Sequence, residues 1–97
     1  MTIKVIVELQ AKPGGRAELT SLMEEIVAEQ GSSQEGFLGS TRYEVLDNPD
    51  LLIEIAEWES AEARKKHLQE SAATGAYQPV IDMLASPISA MVISRLP

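Results

Sequence analysis

Residues 51–58 are apolar on both of the faces that a β-strand would have, and this feature constrains the fold most. Successive side chains of a strand point to opposite sides of its sheet. One side of this segment carries Leu51, Ile53 and Ile55, and the other carries Leu52, Ala56 and Trp58. Residues 88–96 repeat the pattern, with Met91 and Ile93 opposite Ile88, Ala90, Val92 and Leu96. Such a sheet needs a cover on both sides, because large exposed apolar patches are rare on soluble monomers.

The first half of the chain predicts two more strands and a helix. Residues 3–11 alternate between apolar and mostly polar side chains, which is typical of a strand. After Pro13-Gly14-Gly15, apolar residues recur at helical spacing up to about Gln30, where Gly31 offers a left-handed C-cap. The helix stripe consists of Leu19, Leu22, Met23, Ile26 and Val27. Residues 37–46 and 51–58 flank the turn-forming segment 47–50 and predict a β-hairpin.

The second half predicts two helical segments before a last strand. Ser60 is the expected N-cap of a helix that carries Ala61, Ala63, His67 and Leu68. A further stripe consists of Tyr77, Val80, Ile81 and Leu84, with Pro79 in the first turn. Ser86-Pro87 ends it, and the last strand is expected over residues 88–96.

This order of elements predicts an α+β fold of the ferredoxin-like βαββαβ type in a single domain, residues 1–97. Both helices would cover one face of a four-stranded antiparallel sheet. A chain of 97 residues buries roughly 60 to 65% of its unfolded surface and gains from a partner subunit. We therefore expect a homodimer in which a second copy covers the open sheet face.

Composition excludes several classes of function. The chain has no cysteine, which removes disulfides and thiolate chemistry and is compatible with a reducing compartment. Its net charge is −7, without a basic stripe, so neither nucleic acid nor a membrane surface is an expected partner. The first residues lack the features of a signal peptide, and no stretch approaches the ~20 apolar residues of a membrane span. We expect a cytoplasmic protein.

Trp58 and the only histidine, His67, are the first candidates for chemistry. A histidine accepts a proton near neutral pH without a large pKa shift. The nine-residue separation would bring both side chains to the mouth of a cavity between sheet and helix. The alternatives are a core tryptophan and a surface histidine beside Lys65 and Lys66.

Other candidate residues are less specific. We interpret the carboxylates of Glu54, Glu57, Glu59 and Glu62 as a solvated acidic edge, and we expect no metal site. Arg42 and Tyr43 are neighbours within a strand, so one of the two faces the open side of the sheet. On that side the residue would orient a substrate or form a hydrogen bond across the dimer. The sequence decides neither which residue faces the open side nor which role it has.

The segment Glu57–Leu68 resembles the W-x-s-x-e-A-x-x-x-H segment of the antibiotic biosynthesis monooxygenase domain family, the dimeric α/β-barrel proteins. Further segments that resemble the family's pattern are Lys12-Pro13-Gly14, Glu35–Gly39 and Arg42–Val45. The resemblance implies a dimeric α/β barrel with a pocket between sheet and helices. Members include cofactor-free monooxygenases that oxidise phenols or hydroquinones to quinones, haem-degrading enzymes and a signal-molecule isomerase, so membership does not determine the reaction.

The chain also departs from the pattern of many relatives. Ala56 stands where they have glutamate, and Ser71 and Ala72 stand in the region of a second histidine. Val7 occupies the position that would supply the asparagine of the haem-degrading branch. We therefore do not favour haem degradation as the function.

Three functions remain open. In the first, which we favour, His67 takes a proton from a small aromatic substrate in a pocket walled by Trp58, Phe37 and Tyr77. The anion then reduces O₂ without any cofactor. The second is an isomerase or other proton-transfer enzyme on a small carbonyl compound. The third is a non-enzymatic dimer that binds a small molecule.

Overall fold

The computed structural model describes residues 2–30 and 34–97, and the element order within them is that of the ferredoxin-like fold. The elements are β1 (Ile3–Gln10), α1 (Arg16–Gln30), β2 (Phe37–Val45), β3 (Asn48–Trp58), α2 (Ala61–Thr74), α3 (Gln78–Asp82) and β4 (Ser89–Ile93). The strands form one antiparallel sheet in the order β2-β3-β1-β4. The predicted α+β class is confirmed. The predicted helix cap Gly31 lies outside the described residues.

The register explains why the sheet has two apolar faces. In β3 the buried positions alternate with half-buried ones, as the period of a strand requires. The buried positions face the helices, and we call the opposite side the open face. The open face carries Ile6, Thr41, Tyr43, Ile53, Ile55, Met91 and Ile93.

Two apolar clusters hold the helices on the sheet. The larger cluster joins α1 and α3 to β1 and β3 through Leu9, Leu19, Met23, Leu52 and Val80. The smaller cluster lies at the other end of β1 and β3 and consists of Ile3, Val5, Ala56 and Trp58. Burial of such side chains contributes about 1.5–3 kcal/mol each. The space between the clusters holds the site described below.

The predicted N-cap of α2 is confirmed. The Ser60 hydroxyl accepts a hydrogen bond from the Ala63 backbone N–H at 3.1 Å, which satisfies one of the free donors of the first turn. Gly75 ends the helix in the left-handed conformation, with φ of 68°. Pro79 lies in the first turn of α3, where its missing N–H costs no helical hydrogen bond.

Several predicted boundaries and faces are wrong. The hairpin turn comprises Leu46 and Asp47 alone, because residues 48–50 already belong to β3. The Asn48 side chain stabilises this start by accepting from the Asp50 N–H at 3.2 Å and donating to Gln10 at 3.1 Å. Strand β4 ends at Ile93, three residues before Leu96.

The predicted stripe of α3 is also only partly correct. Val80 and Leu84 are buried, but Ile81 is 49% exposed. Helix α3 comprises only Gln78–Asp82, so Tyr77 and Leu84 lie outside it, and of the two stripe residues within it only Val80 is buried. Ala11 and Leu84 form an isolated bridge beyond the end of β1, and Ala11 does not extend the strand.

Candidate functional site

His67 lies on the inner side of α2, two turns after its N-cap. The buried residues of this helix are His67 and Ser71, which are four positions apart and so share one face. His67 is only 7% exposed. The interpretation of His67 as a surface residue is therefore wrong, because the face that carries it packs against the sheet.

Four aromatic rings follow one another beside this face. The ring centroids of Phe37 and Trp58 are 5.1 Å apart with an edge-on geometry, and those of Trp58 and His67 are also 5.1 Å apart. Tyr77 continues the row at 6.0 Å from His67, again edge-on. These separations lie within the range of favourable aromatic contacts. The structure thus brings together three of the predicted substrate-binding residues and the predicted catalytic histidine.

Both nitrogens of the His67 ring have side-chain partners. Nδ1 lies 3.0 Å from Gln34 Oε1, and Nε2 lies 2.9 Å from the Tyr77 hydroxyl. The Ser71 hydroxyl is more distant from Nε2, at 3.5 Å. Burial lowers the pKa of His67 below its ordinary 6.5; the Glu70 charge opposes this shift and the Arg64 charge adds to it. The ring is therefore neutral at pH 7 and able to accept a proton.

Tyr77 remains protonated over an even wider pH range. Burial raises the pKa of its hydroxyl above 10.0, and the negative charge of Glu54 raises it further. The hydroxyl is thus a hydrogen-bond donor and acceptor at neutral pH, and not a tyrosinate base.

Glu54 is a site residue that the sequence analysis assigned wrongly. It lies on the buried side of β3 between Leu52 and Ala56, only 8% exposed, and not on a solvated acidic edge. Burial raises the pKa of its carboxyl above 4.5, although the Arg42 cation lowers it in part. The alternation of β3 was the signal that would have placed it inward.

Arg42 neutralises Glu54 from the neighbouring strand. The two residues are register partners, and Arg42 Nη1 lies 3.5 Å from Glu54 Oε2. Charge-assisted hydrogen bonds are shorter, at about 2.7–2.9 Å. Arg42 Nε and Glu54 Oε2 are buried without a hydrogen-bond partner among the described residues. Burial of this ion pair therefore costs desolvation free energy that its hydrogen bonds do not fully offset.

These side chains surround a cavity of about 150 Å³ between the sheet and the helices. Its walls are largely apolar, and members of both core clusters contribute to them. The polar lining residues are Gln34, Glu54, Arg64, His67 and Tyr77. Val7 and Ala56 are apolar parts of the same lining.

The two other predicted substrate-binding residues do not line this cavity. The Arg42 side chain lies behind Glu54 and reaches toward Glu24 on α1, at 4.0 Å. Tyr43 is on the open face and is 49% exposed. Of the two neighbours it is therefore Tyr43 that faces the open side.

Two further features were sought among the described residues, a metal-binding group of side chains and a membrane-spanning helix. No group of three or more histidine, cysteine, aspartate or glutamate side chains is arranged to hold a metal within residues 2–30 and 34–97. Across the same residues, no helix has the length and apolar character needed to span a bilayer.

Comparisons with known proteins agree with the fold and with the sequence resemblance. A family model described as antibiotic biosynthesis monooxygenase matches residues 2–78. A search of curated proteins finds no match.

Two solved structures illustrate the structural similarity. A conserved protein from Methanosarcina mazei Go1 has a TM-score of 0.84 at 20% identity, over 99% of this chain and 94% of its own. SnoaB, a cofactor-independent oxygenase from Streptomyces nogalater, has a TM-score of 0.81 at 16% identity, over 97% and 92%. Identities of this size show that the fold is shared.

Proposed function

The chain belongs to the antibiotic biosynthesis monooxygenase family, and from that premise we propose that it is a cofactor-independent monooxygenase. Its substrate is a small aromatic compound, a phenol or a hydroquinone, which it oxidises to a quinone with O₂. The structural neighbour from Streptomyces nogalater, a cofactor-independent oxygenase, supports this class of reaction. The observation that carries the proposal is a buried, neutral His67 at the polar part of an otherwise apolar cavity.

The first step of the proposed reaction is removal of the substrate's hydroxyl proton, which requires a proton acceptor. Loss of the hydroxyl proton turns a phenol into a phenolate, which gives an electron to O₂ more readily. A phenol with a free ring carbon opposite its hydroxyl then takes one oxygen atom at that carbon. The other oxygen atom leaves as water with the two hydrogens that the substrate loses. A hydroquinone that gives two electrons and two protons to O₂ instead yields hydrogen peroxide without incorporation of oxygen, so water as the product is what identifies monooxygenation.

The size of the cavity favours a substrate with few rings. An apolar cavity of about 150 Å³ accommodates one benzene ring in another protein, and the cavity here has the same volume. Drug-sized ligands use pockets of roughly 300–1,000 Å³. The aromatic walls formed by Phe37, Trp58 and Tyr77 suit the faces and edges of a planar ring.

Oxygen uptake tests the proposal. Wild-type protein is assayed with a panel of phenols and hydroquinones of one to three rings, and catalase is added to distinguish peroxide from water as the product. We expect His67→Gln to lower kcat by about 10²–10⁴, the usual contribution of a general base. Gln69→Ala, on the exposed side of the same helix, is the matched control and keeps the wild-type rate.

Three outcomes contradict the monooxygenase proposal. The first is no uptake with any compound, and the second is equal uptake by the His67→Gln variant. The third is turnover that persists under anaerobic conditions, which supports an isomerase or other proton-transfer enzyme. Ligand binding without turnover, unchanged in His67→Gln, supports a non-enzymatic binding protein.

We further propose that the chain is a single domain over residues 1–97 that pairs through its open face into a homodimeric α/β barrel. Tyr43, Met91 and Ile93 on this face are 38–57% exposed, an unfavourable state for side chains of this kind. In sedimentation velocity we expect a dimer that Met91→Asp dissociates. Leu46→Asp, an exposed change in the hairpin turn, leaves the dimer intact. A wild-type monomer at micromolar concentration contradicts the proposal.

A further inference from the structure

We propose that Tyr77 is the catalytic residue that contacts the substrate hydroxyl, and that it relays the proton to His67 while Gln34 positions the histidine ring. This inference rests on the proposed function, because it concerns the same cavity and a phenolic ligand. It adds a second catalytic group and a positioning residue to the reaction.

The partners of His67 determine its tautomer. A neutral imidazole has one N–H donor and one nitrogen acceptor. Gln34 presents its carbonyl oxygen, which only accepts, to Nδ1 at 3.0 Å. Nδ1 therefore carries the proton, and Nε2 carries the lone pair that acts as the base.

The lone pair on Nε2 already has a donor. The Tyr77 hydroxyl lies 2.9 Å from Nε2, within the range of a good hydrogen bond. Ser71, at 3.5 Å, lies at the outer limit of that range. A substrate cannot reach Nε2 without displacing Tyr77, but it can donate to the Tyr77 oxygen, which has lone pairs available.

The proton balance of the relay is simple. The substrate O–H breaks and its proton joins the Tyr77 oxygen, while the Tyr77 O–H breaks and its proton joins His67 Nε2. The products are a phenolate, an unchanged tyrosine and an imidazolium whose Nδ1–H still donates to Gln34. Burial and the Glu54 charge keep Tyr77 protonated at rest, as a relay group must be.

The first experiment determines the tautomer in ligand-free protein. Because the chain has one histidine, nitrogen-15 NMR gives a single pair of ring nitrogens. We expect Nδ1–H in the wild type and in Gln34→Glu, which retains an acceptor oxygen. Gln34→Leu shifts the population toward Nε2–H, and Ser71→Ala leaves it unchanged. An Nε2–H tautomer in the wild type overturns the proposal.

The second experiment follows the proton with 4-nitrophenol, whose phenolate is coloured. The absorbance of the bound probe gives the ratio of phenolate to phenol. We expect this ratio to fall about tenfold or more, one pKa unit or more of the bound probe, in Tyr77→Phe and in His67→Gln. An unchanged ratio in Tyr77→Phe overturns the relay, and so does a probe that does not bind to the wild type.

Neither experiment uses oxygen, so the relay and the monooxygenase activity fail independently. A correct tautomer and a tyrosine-dependent ionisation without oxygen uptake contradict the monooxygenase proposal alone. Oxygen uptake that depends on His67 but is unaffected by Tyr77→Phe contradicts the relay alone. Tyr77→Phe retains the ring that packs edge-on to His67, which separates loss of the hydroxyl from loss of packing.

Discussion

Replacement of Arg42 by methionine leaves the Glu54 carboxylate buried without its cation, and we expect the resulting loss of stability to depend strongly on pH. The two side chains are 19% and 10% exposed, so solvent screens their interaction little. At 3.5 Å the attraction between the charges is about 4–5 kcal/mol with an effective dielectric constant of about 20. This is the largest loss of Arg42–Glu54 attraction that Arg42→Met can cause.

Protonation of Glu54 limits the loss further. The pKa of Glu54 in the wild type is already above 4.5, so neutralising the carboxyl at pH 7 costs less than about 3.4 kcal/mol, from about 2.5 pH units at 1.36 kcal/mol each. The variant folds with a protonated Glu54 when protonation costs less than the lost attraction to Arg42. We therefore expect Arg42→Met to lower the free energy of unfolding by at most about 3.4 kcal/mol at pH 7.

The sign of the pH dependence follows from the same raised pKa. In the variant the folded-state pKa of Glu54 lies further above its unfolded value, so the folded chain binds the proton more tightly. Stability is then lost as the pH rises through that folded pKa. As the pH falls toward the raised pKa of Glu54, the wild-type carboxyl itself takes up a proton, and the electrostatic cost of Arg42→Met becomes smaller.

Urea denaturation followed by the fluorescence of Trp58, the only tryptophan and a core residue, measures these differences. Protein concentration is held constant, because the stability of an oligomer depends on it. The control is the double-mutant cycle with Glu54→Gln, in which Arg42→Met costs no more than about 1 kcal/mol. A cost that is equal at pH 5 and pH 8, and that persists beside Gln at position 54, refutes the electrostatic reasoning and indicates lost packing.

Three further predictions concern local structure and His67. Ser60→Ala removes the N-cap acceptor and should cost about 1 kcal/mol in the same denaturation assay; an unchanged midpoint contradicts the cap. Gly36→Ala should cost at least about 1–3 kcal/mol, because φ is +84° and the new Cβ would lie 2.6 Å from the Ala63 Cβ; a neutral effect would show that the loop adjusts freely. The NMR titration midpoint of His67 should lie below 6.5. Since the unfolded chain then binds the proton at higher pH than the folded chain does, the wild type should lose stability relative to His67→Gln as the pH falls below 6.5; a midpoint above 6.5 contradicts the burial argument.

The sequence was sufficient wherever a structural feature depends on a local repeat. The alternation in β1 and β3, the cap at Ser60 and the helical spacing of α1 depend on the geometry of neighbouring backbone units, which the order of residues expresses directly. The order of these elements was then enough to predict the ferredoxin-like fold and an apolar open face. The separation of Trp58 and His67 similarly indicated that both belong to one site.

Only the tertiary structure determined which side chains of the site contact one another. The partners of His67 are Gln34, 33 residues before it, and Tyr77, ten residues after it. No periodicity relates such positions, because their contact depends on how the segment before β2 and the start of α3 pack against α2. Glu54 needed both the sequence and the tertiary structure. Strand alternation predicts that its side chain points inward, whereas its charge predicts a place at the surface. Its place in the cavity became clear only when register partnership with Arg42 supplied a counter-ion. The sequence by itself therefore determined the order of the elements and most of the faces they bury, whereas the chemistry depends on contacts that form after those elements pack.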